Sequence, residues 1–233
     1  IFQNNINING AAVIISNKLS RIIGFNKLTT SDFLKNNNLP YPKTYSINNK
    51  NILFPIISKP KEGAGSSDVF IINSYDEMKF LYSKNNNYIF QELLDGSEGE
   101  FTCGLYRSSQ KTTRTMIFKR NLSAGGYSNY GEVISNIPIE NLLVKIADLL
   151  NLTGSINVQL RIHNGLPTVF EINPRISSTV LVRDLLGFND VLWSIQDRSG
   201  IKLSSYNKNA NVGSKFYKGF SEHIEFKILE SNN

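Results

Sequence analysis

Residues 154–159 read Gly-Ser-Ile-Asn-Val-Gln, and residues 171–175 read Glu-Ile-Asn-Pro-Arg. Between them Asn164-Gly165 is a tight-turn signal, so 155–162 and 167–172 are read as the two strands of a hairpin. Side chains alternate along a strand. Asn157 and Gln159 therefore share one face of the first strand. Glu171, Asn173 and Arg175 share one face of the second, with Phe170 and Ile172 on the other. A carboxylate and two amides converge beside a guanidinium. Such oxygens suit a hard cation such as Mg2+, which is held by one or two carboxylates plus substrate phosphates, and a guanidinium suits phosphate itself. A solvated sheet face with incidental polar residues has the same pattern, and the hairpin alone leaves both readings open.

Upstream, the isoleucine-rich stretch Asn51 to Ser58 predicts a buried strand running into Lys59-Pro60 and a glycine-rich loop, 61–67. A strand that delivers a lysine into a loop poor in side chains brings a cation and backbone N–H groups to phosphate oxygens. Without a following Gly-Lys-Ser/Thr it is not a Walker A loop, and a plain turn is the other reading. Tyr88 to Leu94 predicts a strand that ends in Gln91-Glu92-Leu93-Leu94-Asp95-Gly96, followed by Glu98 and Glu100. A strand leaving the core into a turn exposes backbone donors and acceptors for a base edge, with a carboxylate nearby for ribose hydroxyls. An acidic surface turn is the alternative.

The rest of the chain frames these segments. A helix is predicted to start at Thr30-Ser31-Asp32, others over 140–150, 178–186 and 190–197, and an edge strand over 223–229. The 233 residues carry 40% hydrophobic and 19% charged residues, a globular composition, and no apolar run approaches the roughly 20 residues of a membrane span. The net charge of +6 comes without any block of basic residues, which disfavours a nucleic-acid tail. A single cysteine, Cys103, excludes an intrachain disulfide and a cysteine-based zinc site. Cys103 and Trp193 are expected in the core and His163 in solvent. Arg183 is expected either at a substrate carboxylate or on the surface.

Lys59 with its loop, the Gln-Glu-Leu-Leu stretch and the polar hairpin occur in the order that resembles the ATP-grasp superfamily. The likeness is closest to the ATP-grasp region of carbamoyl-phosphate synthase large subunits and related carboxylate–amine ligases. It covers roughly Asn17 to Asp190, and Glu-Ile-Asn-Pro-Arg after Asn-Val-Gln is its most specific part. The resemblance implies an α+β ATP-grasp fold, two lobes with mostly antiparallel sheets gripping ATP. Residues 1–26 would be a remnant or linker from an absent N-terminal domain, 27–95 the small nucleotide-binding lobe, and 96–233 the large lobe with the metal site. Lys27 and Lys59 would contact the phosphates, and Gly63, Gly65, Ser66 and Ser67 would close over them. Gln91, Glu92, Leu93 and Leu94 would form the adenine hinge. Glu100 would bind ribose, with Glu98 as the competing choice. Gln159, Glu171 and Asn173 would hold Mg2+ or Mn2+. Arg175, with Arg120 and Lys59, would neutralise the transferring phosphoryl group. Asn26 stands where relatives carry aspartate, and Asp68 where they carry glycine.

The implied chemistry is ATP-dependent ligation: a carboxylate becomes an acyl phosphate and an amine attacks it. Carbamate or bicarbonate phosphorylation in a divided carbamoyl-phosphate-synthase-like system and a non-catalytic ATP-binding module stand beside it. The expected partners are a small carboxylate and an amine, not nucleic acid or membrane, with a separate chain supplying the missing domain, or a homodimer. The expected location is the cytoplasm.

Overall fold

A computed structural model describes residues 7–8, 11–63, 68–122, 128–219 and 222–226. In chain order, β1 (Asn7–Ile8) and β2 (Ala11–Ala12) pair with each other, and α1 (Lys18–Phe25) and α2 (Lys27–Asn36) follow. β3 (Thr44–Tyr45), β4 (Ile56–Pro60), β5 (Phe70–Ile72), α3 (Tyr75–Lys84) and β6 (Tyr88–Glu92) come next. Then come β7 (Glu100–Arg107), β8 (Thr113–Leu122), β9 (Ser128–Ile134), α4 (Ile137–Leu149), β10 (Gly154–His163) and β11 (Leu166–Asn173). α5 (Val180–Leu185), α6 (Asp190–Arg198), β12 (Lys215–Lys218) and β13 (Glu222–Glu225) complete the chain.

The strands form two larger sheets, β3-β6-β4-β5 and β11-β10-β7-β8-β9-β12-β13. Every pairing among the described residues is antiparallel, so the expected pair of antiparallel sheets is present. The alternation of β10 explains how one strand serves a core and a site. Ile156, Val158 and Leu160 point into a core shared with Leu142, Leu143 and Ile146 of α4 and with Phe33 and Leu34 of α2. Ser155, Asn157, Gln159 and Arg161 point to the other face. There a second core of Tyr106, Phe118, Phe188, Trp193 and Phe216 fills the far end of the sheet. The smaller sheet buries Tyr45, Ile56, Ile72, Tyr88 and Phe90 against Met78 of α3. Cys103 is fully buried, as expected, and burial pushes its thiol up to about 12.

Local chemistry sets the element ends. Ser74 caps α3 by accepting the Glu77 N–H, and Asn136 caps α4 by accepting the Ile139 N–H. The helix expected to start at Thr30 starts at Lys27, because the Asn26 side chain accepts the Leu28 N–H and so moves the cap upstream. The strand expected from Asn51 forms only from Ile56, since Pro55 has no N–H for a ladder. β9 and β12 were not legible as strands. Gly131 interrupts the apolar pattern of β9 and makes room for the Phe216 ring, whose edge lies 2.3 Å from where a Cβ would stand.

α1 and α2 pack on β11. Gly24 permits this approach: a Cβ there would stand 2.7 Å from the Ile172 carbonyl oxygen and from Pro174 Cδ. α2 is also tied to the smaller sheet. Gln91 Nε2 donates to Ser31 Oγ at 2.8 Å and to Thr44 Oγ1 at 3.1 Å.

Candidate active site

A cavity of about 460 Å3 opens between the two sheets. β4 contributes Ile57 and Lys59 to its wall, because Ile56 and Ser58 point the other way into the small core. Residues 91–94 at the end of β6 form one side, and the polar face of β7, β8, β10 and β11 forms the floor. The expected residues Lys27, Lys59, Gly63, Gln91, Glu92, Leu93, Leu94, Glu100, Arg120, Gln159, Glu171, Asn173 and Arg175 all line this one cavity. Gly65, Ser66 and Ser67 lie outside the described residues.

Asn157 faces Asn173 and Gln159 faces Glu171, a register one residue on from the one that the Asn164-Gly165 turn sets at His163 and Leu166. The pairing slips after Gln159, so that Leu160 faces Val169 and Phe170 becomes the extra residue of a bulge. Phe170 therefore lines the cavity instead of sharing the core face with Ile172, and its ring lies 5.3 Å from Lys59 Nζ. Burial lowers the Lys59 ammonium to about 8, against the opposing pull of the Glu171 carboxylate. Lys27 Nζ donates to the Gly63 carbonyl at 3.0 Å and stands 4.0 Å from Glu171 Oε1. The loop after β4 is thus tied to the N-terminus of α2, where Lys27 N–H also donates to the Lys61 carbonyl.

Glu100 sits between two arginines on its flanking strands. Arg120 donates to Oε1 through Nε and Nη2, and Arg161 donates to Oε2 through the same pair of atoms. A carboxylate has about four acceptor sites, and these N–H groups fill them. In this arrangement Glu100 offers nothing to the ribose hydroxyls that the resemblance assigns to it. Arg120 also donates to Gln159 Oε1 at 2.8 Å and to Ser128 Oγ at 3.2 Å. Arg161 was missed in the sequence, although it continues the Asn157, Gln159 alternation by one more step. Glu98 is exposed and accepts the Gly165 N–H at 3.2 Å.

Two other side chains depart from expectation. Arg183 neither reaches the cavity nor the surface. It is fully buried, and Nη2 donates to Asn157 Oδ1 at 2.5 Å, behind the polar row of β10. Burial lowers its guanidinium to about 10. Gly104 makes space for it, since a Cβ there would stand 3.0 Å from Arg183 Nη1. His163 is paired instead of solvated: Nδ1 accepts the Asp95 N–H at 3.2 Å, and Nε2 lies 3.4 Å from Glu92 Oε1.

The donor set fits a divalent cation at two of its three expected positions. Glu171 supplies the carboxylate, and Asn173 lines the same cavity with a buried Nδ2 that has no partner among the described residues. Gln159 would join only when its amide leaves Arg120. Among the described residues no group of three or more His, Cys, Asp or Glu could hold a metal, so a cation here would need further oxygens from water or a ligand. No helix among them is long and apolar enough to cross a membrane.

The family model for the ATP-grasp domain matches residues 25–179. No curated protein matches the chain. Among solved structures, L-amino acid ligase from Bacillus licheniformis matches with a TM-score of 0.67 at 17% identity, covering 86% of this chain and 55% of that one. The biotin carboxylase domain of 2-oxoglutarate carboxylase from Hydrogenobacter thermophilus, in complex with MgADP, ADP and bicarbonate, matches with a TM-score of 0.73 at 13% identity, covering 87% and 52%. D-alanine–D-alanine ligase from Bacillus anthracis, complexed with ATP, matches with a TM-score of 0.61 at 19% identity, covering 80% and 70%. The chain thus spans about half the length of the first two.

Proposed function

Because the chain belongs to the ATP-grasp family, we propose that it is an ATP- and Mg2+-dependent ligase, or the catalytic part of one, that activates a carboxylate and joins it to an amine. The observation that carries this reading is the meeting of Lys27 and Lys59 with Glu171 and Asn173 in one cavity between two sheets.

In this reading the backbone of residues 91–94 takes the adenine edge, between Ile57 and Val69 on one side and Leu122 on the other. Lys27 and Lys59 hold phosphate oxygens, and the apolar wall at Phe170 removes water around Lys59, which strengthens each contact. Glu171 and Asn173 would hold Mg2+, which supplies charge neutralisation on the phosphoryl group. An oxygen of the substrate carboxylate attacks the γ-phosphorus, and the bond to the β–γ bridging oxygen breaks, releasing ADP. Exposed Arg175 would exchange its bond to the Ile176 carbonyl for the transferring oxygens and hold them as a bidentate donor. The amine nitrogen then attacks the acyl carbon, phosphate leaves, and the nitrogen gives up a proton. The protein supplies position and charge, with no covalent nucleophile of its own.

The 2.8 Å bond from Arg120 to Gln159 favours a second reading, a module that binds ATP without turning it over, because it occupies a ligand oxygen. Calorimetry with Mg·ATP and Mg·GTP, followed by a screen for ADP release over carboxylic acids and amines, separates the two. ATP binding with ADP release supports the ligase, and binding without release under any pair supports the module. No binding at millimolar nucleotide sinks both.

A further inference from the structure

The polar face of β10 runs on from Arg161, which still lines the cavity, and its last members serve no function assigned so far. Arg161 Nη1 donates to the Leu94 carbonyl at 2.9 Å, while Nε and Nη2 hold Glu100. Two residues on, His163 Nδ1 accepts the Asp95 N–H and Nε2 faces Glu92. Two further on, the Gly165 N–H donates to Glu98. Every second residue from 161 to 165 thus grips the connection 92–100, the stretch that joins the smaller sheet to the larger. The grip reaches its backbone: Leu94 through its carbonyl, Asp95 through its N–H. The Arg161 guanidinium also lies against Gly96, 3.6 Å from where a Cβ would stand.

We propose that Arg161 and His163 are positioning residues of the nucleotide pocket, which clasp the 92–100 connection to β10 and thereby set the base selectivity of the 91–94 hinge. This rests on the ATP reading above. A hinge reads a base through backbone donors and acceptors, and their directions depend on the peptide planes that follow. Leu94 is the last hinge residue and the first held through its backbone. With its carbonyl and the next N–H both tied to the rigid end of a hairpin, the hinge presents one fixed pattern to the base edge. Untied, it can rotate to suit a guanine edge as readily as an adenine edge. Neither side chain needs to touch the nucleotide for this effect.

Calorimetric titration of Mg·ADP and Mg·GDP into wild type, Arg161→Met, Arg161→Lys, His163→Ala and His163→Asn tests the idea, with a melting curve for each protein. Wild type should prefer ADP. Arg161→Met and His163→Ala should lose about tenfold in ADP affinity, the worth of a lost hydrogen bond, and retain or gain affinity for GDP, so that the preference shrinks. Their melting temperatures should fall by less than about 4 °C. Arg161→Lys keeps the charge beside Glu100 but loses the planar fork, so it should behave as the Met variant does. His163→Asn places an oxygen near the position of Nδ1 and should restore selectivity. Variants with wild-type affinity for both nucleotides overturn the proposal. An equal loss for both bases that His163→Asn does not rescue overturns it as well, since that is the signature of a merely structural role. If wild type binds neither nucleotide, the ATP reading itself has failed and the clasp falls with it.

Discussion

Glu100 and Arg120 stand directly opposite each other on β7 and β8, with Arg120 Nη2 2.7 Å from Glu100 Oε1. Arg161 holds the other carboxylate oxygen from β10, so one carboxylate balances two guanidinium groups at the cavity floor. Glu100→Gln keeps the shape and removes the balancing charge, and its amide hydrogens meet other donors. Breaking a mostly buried ion pair leaves the remaining charge uncompensated. The variant should lose about 2–3 kcal/mol of stability, read as a lower midpoint in urea at unchanged slope. An unchanged midpoint would show that the triad contributes nothing to the folded state.

Lys59 carries the pH dependence. Its ammonium titrates at about 8 in the folded protein, lowered mainly by burial. It must be protonated to hold phosphate, so affinity for Mg·ADP should be flat below pH 8 and fall above it, with about one proton taken up on binding. The stability effect has the opposite sense. Between about 8 and the ordinary lysine value the unfolded chain holds a proton that the folded protein lacks, so this group makes stability rise with pH across that window. Lys59→Met should abolish the bend in affinity and weaken binding at neutral pH. A bend that survives the substitution assigns it to another group.

The metal set turns on Glu171. Glu171→Gln retains shape and loses the one carboxylate of the set, so ATP turnover should vanish while the melting temperature stays within about 4 °C of wild type. Arg175→Lys should lower turnover about a hundredfold, because the charge remains but the fork is gone. Both are measured as ADP release at saturating Mg2+ once a substrate pair is found. A wild-type rate in Glu171→Gln returns the hairpin to a solvated polar face.

Gly24 tests how the helices dock. Gly24→Ala places a Cβ against the Ile172 carbonyl oxygen, which belongs to β11 and cannot move without disturbing the Asn173 it precedes. A loss of about 1–3 kcal/mol in thermal or urea unfolding is expected, although alanine is the better helix former. A stabilised variant would mean that α1 does not sit on β11 in solution.

The hairpin was legible in the sequence because its information is local. Alternation with period two and the Asn-Gly turn set His163 against Leu166 and Arg161 against Thr168; carried on, they would put Gln159 against Phe170, and it is the bulge at Phe170 that brings Glu171 and Asn173 opposite Gln159 and Asn157. Lys59, the 91–94 stretch and Arg175 were linked only by an order along the chain that resembles the ATP-grasp superfamily; no local pattern joins them. Tertiary structure decided what those residues do to each other. Phe170 changed faces because the β10–β11 pairing slips by one residue, a bulge that no residue type in the strand announces. Glu100 became the centre of a charge triad because strands 61 positions apart in sequence bring Arg161 beside it. Arg183 of α5 disappeared into the interior because Gly104, on β7, leaves the volume that a guanidinium fills. Alternation says which way a side chain points. Whether it meets a ligand, an ion partner or the inside of the protein depends on what the rest of the chain has already placed there.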